Sequence, residues 1–149
     1  MTPDLKQCLA ETPLCVAYNL RKSSRIVSKI YEHEMRAAPI RGPQFSLSII
    51  IAKRGTITIS DLAREIGADR TTLTRNLKLL EQKGVIRITP GEDSRKRVVA
   101  LMPRGEQAVR ASYAHWKKAQ SKVVKALGPE RWLRMQTDLS AVSALTGRS

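Results

Sequence analysis

The chain has 149 residues, which suits one compact core with extensions rather than several domains. Its 27 Lys and Arg outnumber 13 Asp and Glu, a formal net charge of +14, which favours a polyanionic partner through release of condensed counterions. Two cysteines exclude a disulfide framework, no apolar run approaches the roughly 18 residues of a membrane span, and MTPDLKQCLAET lacks the pattern of a secretory leader, so a cytoplasmic protein with reduced thiols is expected.

Thr12 suits a helix N-cap and Pro13 a first helical position, so a long helix is expected from there to about Ala38. Its apolar stripe, Val16, Leu20, Val27 and Ile30, is interrupted by charge. Pro39, Gly42 and Pro43 break it. A second helix, about Pro43 to Arg54, is apolar on most sides (Phe45, Leu47, Ile49, Ile50, Ile51) and is expected to be buried. Thr56 to Ile59 alternate and are β-branched, which predicts a short strand.

Ser60 is expected to cap a short helix over 61–66, with Leu62, Ala63 and Ile66 inward. Gly67 makes a turn, and Asp69 caps a helix over 70–83 with its charge at the positive end of the dipole. Gly84 stops that helix. Residues 85–89 and 96–102 read as two hairpin strands around a tip at 90–95. A long helix over 106–127 follows, then Gly128-Pro129 and a last helix over 130–145.

In the last two helices, Val109, Tyr113, Trp116, Gln120, Val123 and Leu127 recur at alternating spacings of 4 and 3, as do Trp132, Met135, Leu139 and Val142 at 3, 4 and 3. These are helix-packing seams. They would serve an intrachain core, but long helices at both chain ends are better covered by an intertwined homodimer. The expected fold is mainly α with a small β-hairpin wing. A winged helix-turn-helix over 43–105 is flanked by helical dimerisation regions at 1–42 and 106–149, within a single domain.

The basic surplus is spread along the chain, with 11 basic and 6 acidic residues over 53–97 and 9 and 3 over 104–149. With Leu73, Leu77 and Leu80 inward, the helix over 70–83 turns Thr71, Arg75, Lys78 and Gln82 outward. Arginine bonds guanine O6 and N7 bidentately, and threonine offers a hydroxyl or touches the thymine methyl. The N-terminal half of such a helix reaches the bases. Thr71, Thr72, Thr74 and Arg75 are therefore assigned to bases, and Arg70, Asn76 and Lys78 to phosphates. A solvated amphipathic helix would share this pattern, but the short helix and glycine turn before it favour double-stranded DNA. At the hairpin tip, Asp93 is expected to orient the Arg95 guanidinium, with Lys96 and Arg97 following. An arginine projecting there suits a narrow minor groove.

With these residues placed, the chain resembles the multiple antibiotic resistance regulator (MarR) family of bacterial transcription factors. The likeness lies in LAREIGADRTTLTRNLKLLEQKGVIRI, in Asp93-Ser94-Arg95 and in VVALMPRGE, with weaker similarity in NLRKSSRIVSKIYEHEM and GPQFSLSIIIAKRGTITISDLA. The resemblance implies a homodimeric winged helix on a near-palindromic operator, with Thr71–Lys78 in the major groove and Arg95 in the minor groove. It also implies repression, released by a small molecule or by thiol oxidation.

Leu14-Cys15-Val16-Ala17-Tyr18 is similar to the segment holding the reactive cysteine in the family's peroxide-sensing branch, although Asn19 stands where that branch has tyrosine. Cys15 is the candidate sensor, expected as the third helical residue, where the dipole favours a thiolate, and Cys8 is its candidate partner. Both cysteines would equally serve as small apolar interface residues. A small-molecule pocket is the other option, with Tyr18, Lys22, Phe45, Tyr113 and Trp116 as candidate walls or plain packing residues. His33 and His115 with two cysteines make no metal-ligand spacing, and no cofactor is expected. Phosphate-cradling glycine loops and nucleophile–base motifs are absent from the sequence, so an enzyme is not expected. The reading is a sequence-specific transcriptional regulator, most simply a repressor. The alternative is a nonspecific architectural DNA binder.

Overall fold

The structure, a computed structural model, describes residues 4–147. Seven α-helices and three strands are described: α1 (Leu5–Glu11), α2 (Val16–Glu34), α3 (Gly42–Arg54), β1 (Thr56–Thr58), α4 (Ile59–Ile66), α5 (Arg70–Gln82), β2 (Ile86–Pro90), β3 (Arg97–Leu101), α6 (Pro103–Leu127) and α7 (Pro129–Ser143). Short 3₁₀ turns occupy Thr12–Leu14 and Ala144–Gly147. No helix among the described residues is long and apolar enough to cross a membrane.

The expected mainly helical fold with a small wing is present, with several local differences. Thr12-Pro13 opens a 3₁₀ turn instead of the long helix. A separate helix, α1, precedes it, and α2 starts only at Val16 and stops at Glu34. The Thr-Pro signal serves either kind of helical turn, because the first N–H groups of both lack an intrahelical acceptor and proline there loses no bond. The cap of α4 is Thr58 rather than Ser60. Its Oγ1 accepts the Asp61 N–H at 3.1 Å. Pairing of β1 with β3 fixes Thr58 in extended backbone, the conformation an N-cap needs. Helix α6 starts at Pro103, three residues earlier than expected, with proline in the first turn.

The sheet is antiparallel in the order β1-β3-β2, with Ile57 opposite Val99 and Ile88 also opposite Val99. The core lies between this sheet and the helices α3, α4 and α5. Ile51, Leu62, Leu80 and Val99 are fully buried in it, with Leu73 and Leu77 at 1% exposure. Each such leucine contributes about 1.5–3 kcal/mol of burial. Leu73, Leu77 and Leu80 are the inward face of α5, so the core fixes which face of that helix points out.

Polar contacts tie the remaining elements to this core. The buried Gln44 of α3 accepts from the Arg41 N–H at 3.3 Å and from Lys83 Nζ at 3.5 Å. Lys83 also reaches the Pro39 carbonyl at 3.4 Å. The end of α5 is thereby linked to the α2–α3 corner. At the same corner the Ile40 N–H donates to Ser112 Oγ of α6 at 3.4 Å. Helices α1, α2 and α7 contribute no fully buried side chain.

Candidate nucleic-acid interface

Helix α5 begins where Asp69 Oδ1 accepts the Thr72 N–H at 2.8 Å. That N–H, followed by the Thr72 hydroxyl, holds the Asp69 carboxyl below its ordinary range, so the cap is a full negative charge at the positive end of the helix. Gly67 before it lies at φ +61° and Gly84 after α5 at φ +68°, conformations that side chains rarely adopt. The turn and the stop of α5 are therefore built by glycine.

Of the seven residues assigned to DNA, six are exposed and Asn76 is half-buried, and the set divides in two. Thr74 Oγ1 donates to the Arg70 carbonyl at 2.7 Å, and Asn76 Nδ2 donates to the Thr72 carbonyl at 3.1 Å. The Thr72 hydroxyl is engaged with Asp69. These three side chains are turned back onto their own helix. Arg70, Thr71, Arg75 and Lys78 are exposed, and among the described residues the three cations have no ion-pair partner. Leu79, 42% exposed on the same helix, was not among the expected contacts.

The wing departs from expectation at its tip. Asp93 Oδ1 accepts the Arg95 backbone N–H at 3.1 Å instead of the guanidinium, and the Asp93 carbonyl accepts the Lys96 N–H at 2.8 Å. Strand β3 begins only at Arg97, so Asp93 to Arg95 form a turn and do not share a strand face. Asp93 therefore shapes the loop that projects Arg95. Arg95, Lys96 and Arg97 are all exposed.

Sequence reasoning missed what joins the wing to α5. Glu81 Oε1 accepts the Ile88 N–H of β2 at 3.1 Å, a pairing across the turn between α5 and the wing that neither helix nor strand periodicity signals. Arg64 of α4 pairs with Asp61 at 2.9 Å, while the Thr58 hydroxyl first, and then Arg64 and Lys96, keep the Asp61 carboxyl below its ordinary range.

The candidate pocket residues are only partly brought together. Phe45 and Tyr113 each stack on Trp116, with ring centroids 5.8 Å apart. These rings, with Ser46, Ile49 and Ile50, line a cavity of about 350 Å³. Tyr18 and Lys22 lie exposed on α2 and do not line it. Cys15 is exposed and caps α2 rather than lying third within it, whereas Cys8 is half-buried on α1. Asn19 Nδ2 donates to the Pro13 and Cys15 carbonyls at 2.9 and 3.0 Å, which secures the α2 entrance.

The sequence model of the MarR family matches residues 41–98, the stretch that builds α3 to the wing. The chain is also similar, over 91% of its length, to the Mycobacterium tuberculosis transcriptional regulator MosR, solved in complex with DNA. Identity is 30%, 99% of that chain is covered, and the TM-score is 0.79. The chain belongs to the MarR family. MarR of Escherichia coli in its apo form has the same fold, at 19% identity, a TM-score of 0.67, and coverage of 86% of this chain and 96% of that one. The organic hydroperoxide resistance transcriptional regulator of Bacillus subtilis is 31% identical over 96 residues, 64% of each chain. The HTH-type transcriptional regulator YwoH of B. subtilis is matched over 66% of its length, so the chain spans just under two thirds of each of these two regulators. The members compared are transcriptional regulators and not enzymes.

Proposed function

We propose that this protein is a homodimeric transcriptional repressor of the cytoplasm that binds double-stranded DNA at a near-palindromic operator. The observation that carries the reading is the outward face of α5. The side chains of Arg70, Thr71, Arg75 and Lys78 have no hydrogen-bond or ion-pair partner among the described residues, and they stand with a wing that projects Arg95. Thr71 and Arg75 read base edges in the major groove, Arg70 and Lys78 hold phosphates, and Arg95 enters the minor groove. Thr72, Thr74 and Asn76 act mainly by shaping the helix. That the M. tuberculosis relative was solved in complex with DNA supports the same assignment.

The exposed apolar residues of α1, α2 and α7, among them Leu5, Leu9, Val16, Leu133 and Leu139, support association of residues 1–42 and 106–149 with a second copy. Residues 43–105 form the DNA-binding region. Two release routes fit: an apolar aromatic effector in the cavity lined by Phe45, Tyr113 and Trp116, or oxidation of the exposed Cys15. Kinship to a regulator of organic hydroperoxide resistance supports the second.

The test is selection of duplexes from a random pool, followed by footprinting of Arg75→Ala and Arg95→Ala. Arg75→Ala is expected to relax preference at one base position. Arg95→Ala is expected to weaken binding more evenly and to lower the salt slope by about 1. Unchanged affinity and preference in both variants would remove these roles. The net charge of +14 also suits a nonspecific architectural binder, which predicts an operator-to-random affinity ratio near one instead of about 10³ or more.

A further inference from the structure

A second basic face lies away from the wing and α5. Between Gln107 and Pro129 the chain has no acidic residue. Lys117, Lys118, Ser121, Lys122 and Lys125 recur there on one side of α6, and with Ala114 and Glu34 of α2 they line a cleft of about 690 Å³. Lys117 stands about 21 Å along α6 from Pro103, the end next to the wing.

Glu34 is the one carboxylate in the cleft, and its side chain is 7% exposed. It bridges Lys118 Nζ at 3.0 Å and Lys122 Nζ at 3.2 Å. Lys117 and Lys125 have no ion-pair partner among the described residues. Four ammonium groups against one carboxylate leave a net charge of +3. A patch of that charge would repel its own symmetry mate, so a second copy of the chain is a poor occupant.

We propose that this cleft binds a small polyphosphate anion, of the pyrophosphate or nucleotide type, with Glu34 as its built-in competitor. A monoanion offers Lys118 and Lys122 nothing that Glu34 does not already supply. A multivalent phosphate gains by engaging Lys117, Lys125 and the Ser121 hydroxyl as well. Glu34 thereby sets a charge threshold for the ligand. It is also the last residue of α2, where His115 Nδ1 of α6 lies 3.2 Å from its carbonyl oxygen and the Tyr31 hydroxyl bonds Gln120. An anion that draws both lysines from Glu34 removes the ion pairs joining α2 to α6.

Isothermal titration of the full chain with sodium pyrophosphate tests this, with acetate as the monoanion control. Saturable pyrophosphate binding that weakens with salt is expected, and none with acetate. The double variant Lys117→Ala/Lys125→Ala leaves the Glu34 pairs intact and is expected to lose about tenfold in affinity. Glu34→Gln, checked for folding by thermal melting, is expected to bind about two- to fivefold more tightly. If Glu34→Gln does not fold, the double lysine variant decides alone. Absence of saturable binding, unchanged affinity in the double variant, or weaker binding by folded Glu34→Gln would overturn the proposal. So would a loss of random-duplex affinity in the double variant without any pyrophosphate binding, which would assign the cleft to DNA phosphates.

Discussion

The Cβ that Gly105 lacks would stand 2.1 Å from the carbonyl oxygen of Val85. The first turn of α6 therefore lies directly against the chain entering the wing. The Met102 N–H donates to the same carbonyl at 3.0 Å, so backbone meets backbone with no side chain between. Gly105→Ala must push these segments apart. It is expected to destabilise the protein by about 1–3 kcal/mol, visible as a lower denaturant midpoint with an unchanged slope. A midpoint equal to that of the parent would show that the contact relaxes without cost.

A charged cap on α5 predicts a pH signature. The Asp69 carboxyl is depressed below its ordinary 3.8, first by the Thr72 N–H and then by its hydroxyl. A depressed carboxyl stabilises the fold while ionised. Its contribution is complete above the ordinary value and is lost as pH falls through the lower folded value. Asp69→Asn keeps a capping oxygen but loses the charge. It is expected to lower the Tm by about 2–4 °C at pH 7, with the gap closing below about pH 4. A gap that persists unchanged at pH 3 would mean that the charge plays no part.

Much of α5 was legible in the sequence, because its signals are local. Asp69 and Gly84 mark its ends, and Leu73, Leu77 and Leu80 share one face by spacing alone. The N-terminal region was less legible. Leu5 and Leu9 of α1 face no core of their own chain, so neither periodicity nor length announced the helix. Thr58 and Ser60 are both good caps, and the choice between them rests on β1 pairing with β3, some forty residues away. The Glu81–Ile88 bond and the Asp93 turn likewise depend on where the wing folds back. The expected pocket split for a related reason: Phe45, Tyr113 and Trp116 meet within one chain, whereas Tyr18 and Lys22 sit on a helix without a fully buried residue.

The proposed dimer predicts an asymmetry between association and folding. Leu133 of α7 is 61% exposed, so Leu133→Glu removes little from the isolated chain, within about 0.5 kcal/mol. Combined with Leu5→Glu, it is expected to give monomers in sedimentation while the winged-helix core melts cooperatively. A dimer that survives both substitutions would place the interface elsewhere.

The aromatic cavity predicts a separation of stability from ligand response. Phe45 is buried and stacked on Trp116, so Phe45→Ala is expected to cost about 3–5 kcal/mol. Tyr113 is half exposed, and Tyr113→Ala should cost far less while opening one wall of the cavity. Titration of phenolic ligands followed by Trp116 fluorescence, in a Trp132→Phe background, would compare the two variants. Identical ligand responses in Tyr113→Ala and the parent would exclude this cavity as the effector site.

Every residue buried as a whole in the described structure lies between Met35 and Ala119, and the helices at either end add none. In the proposed dimer those arms hold their place by mass action, whereas the winged core packs within one chain and is independent of concentration. Their resistance to proteases and their amide-exchange protection therefore rise and fall with protein concentration. In such a dimer, dilution exposes the arms before it exposes the core.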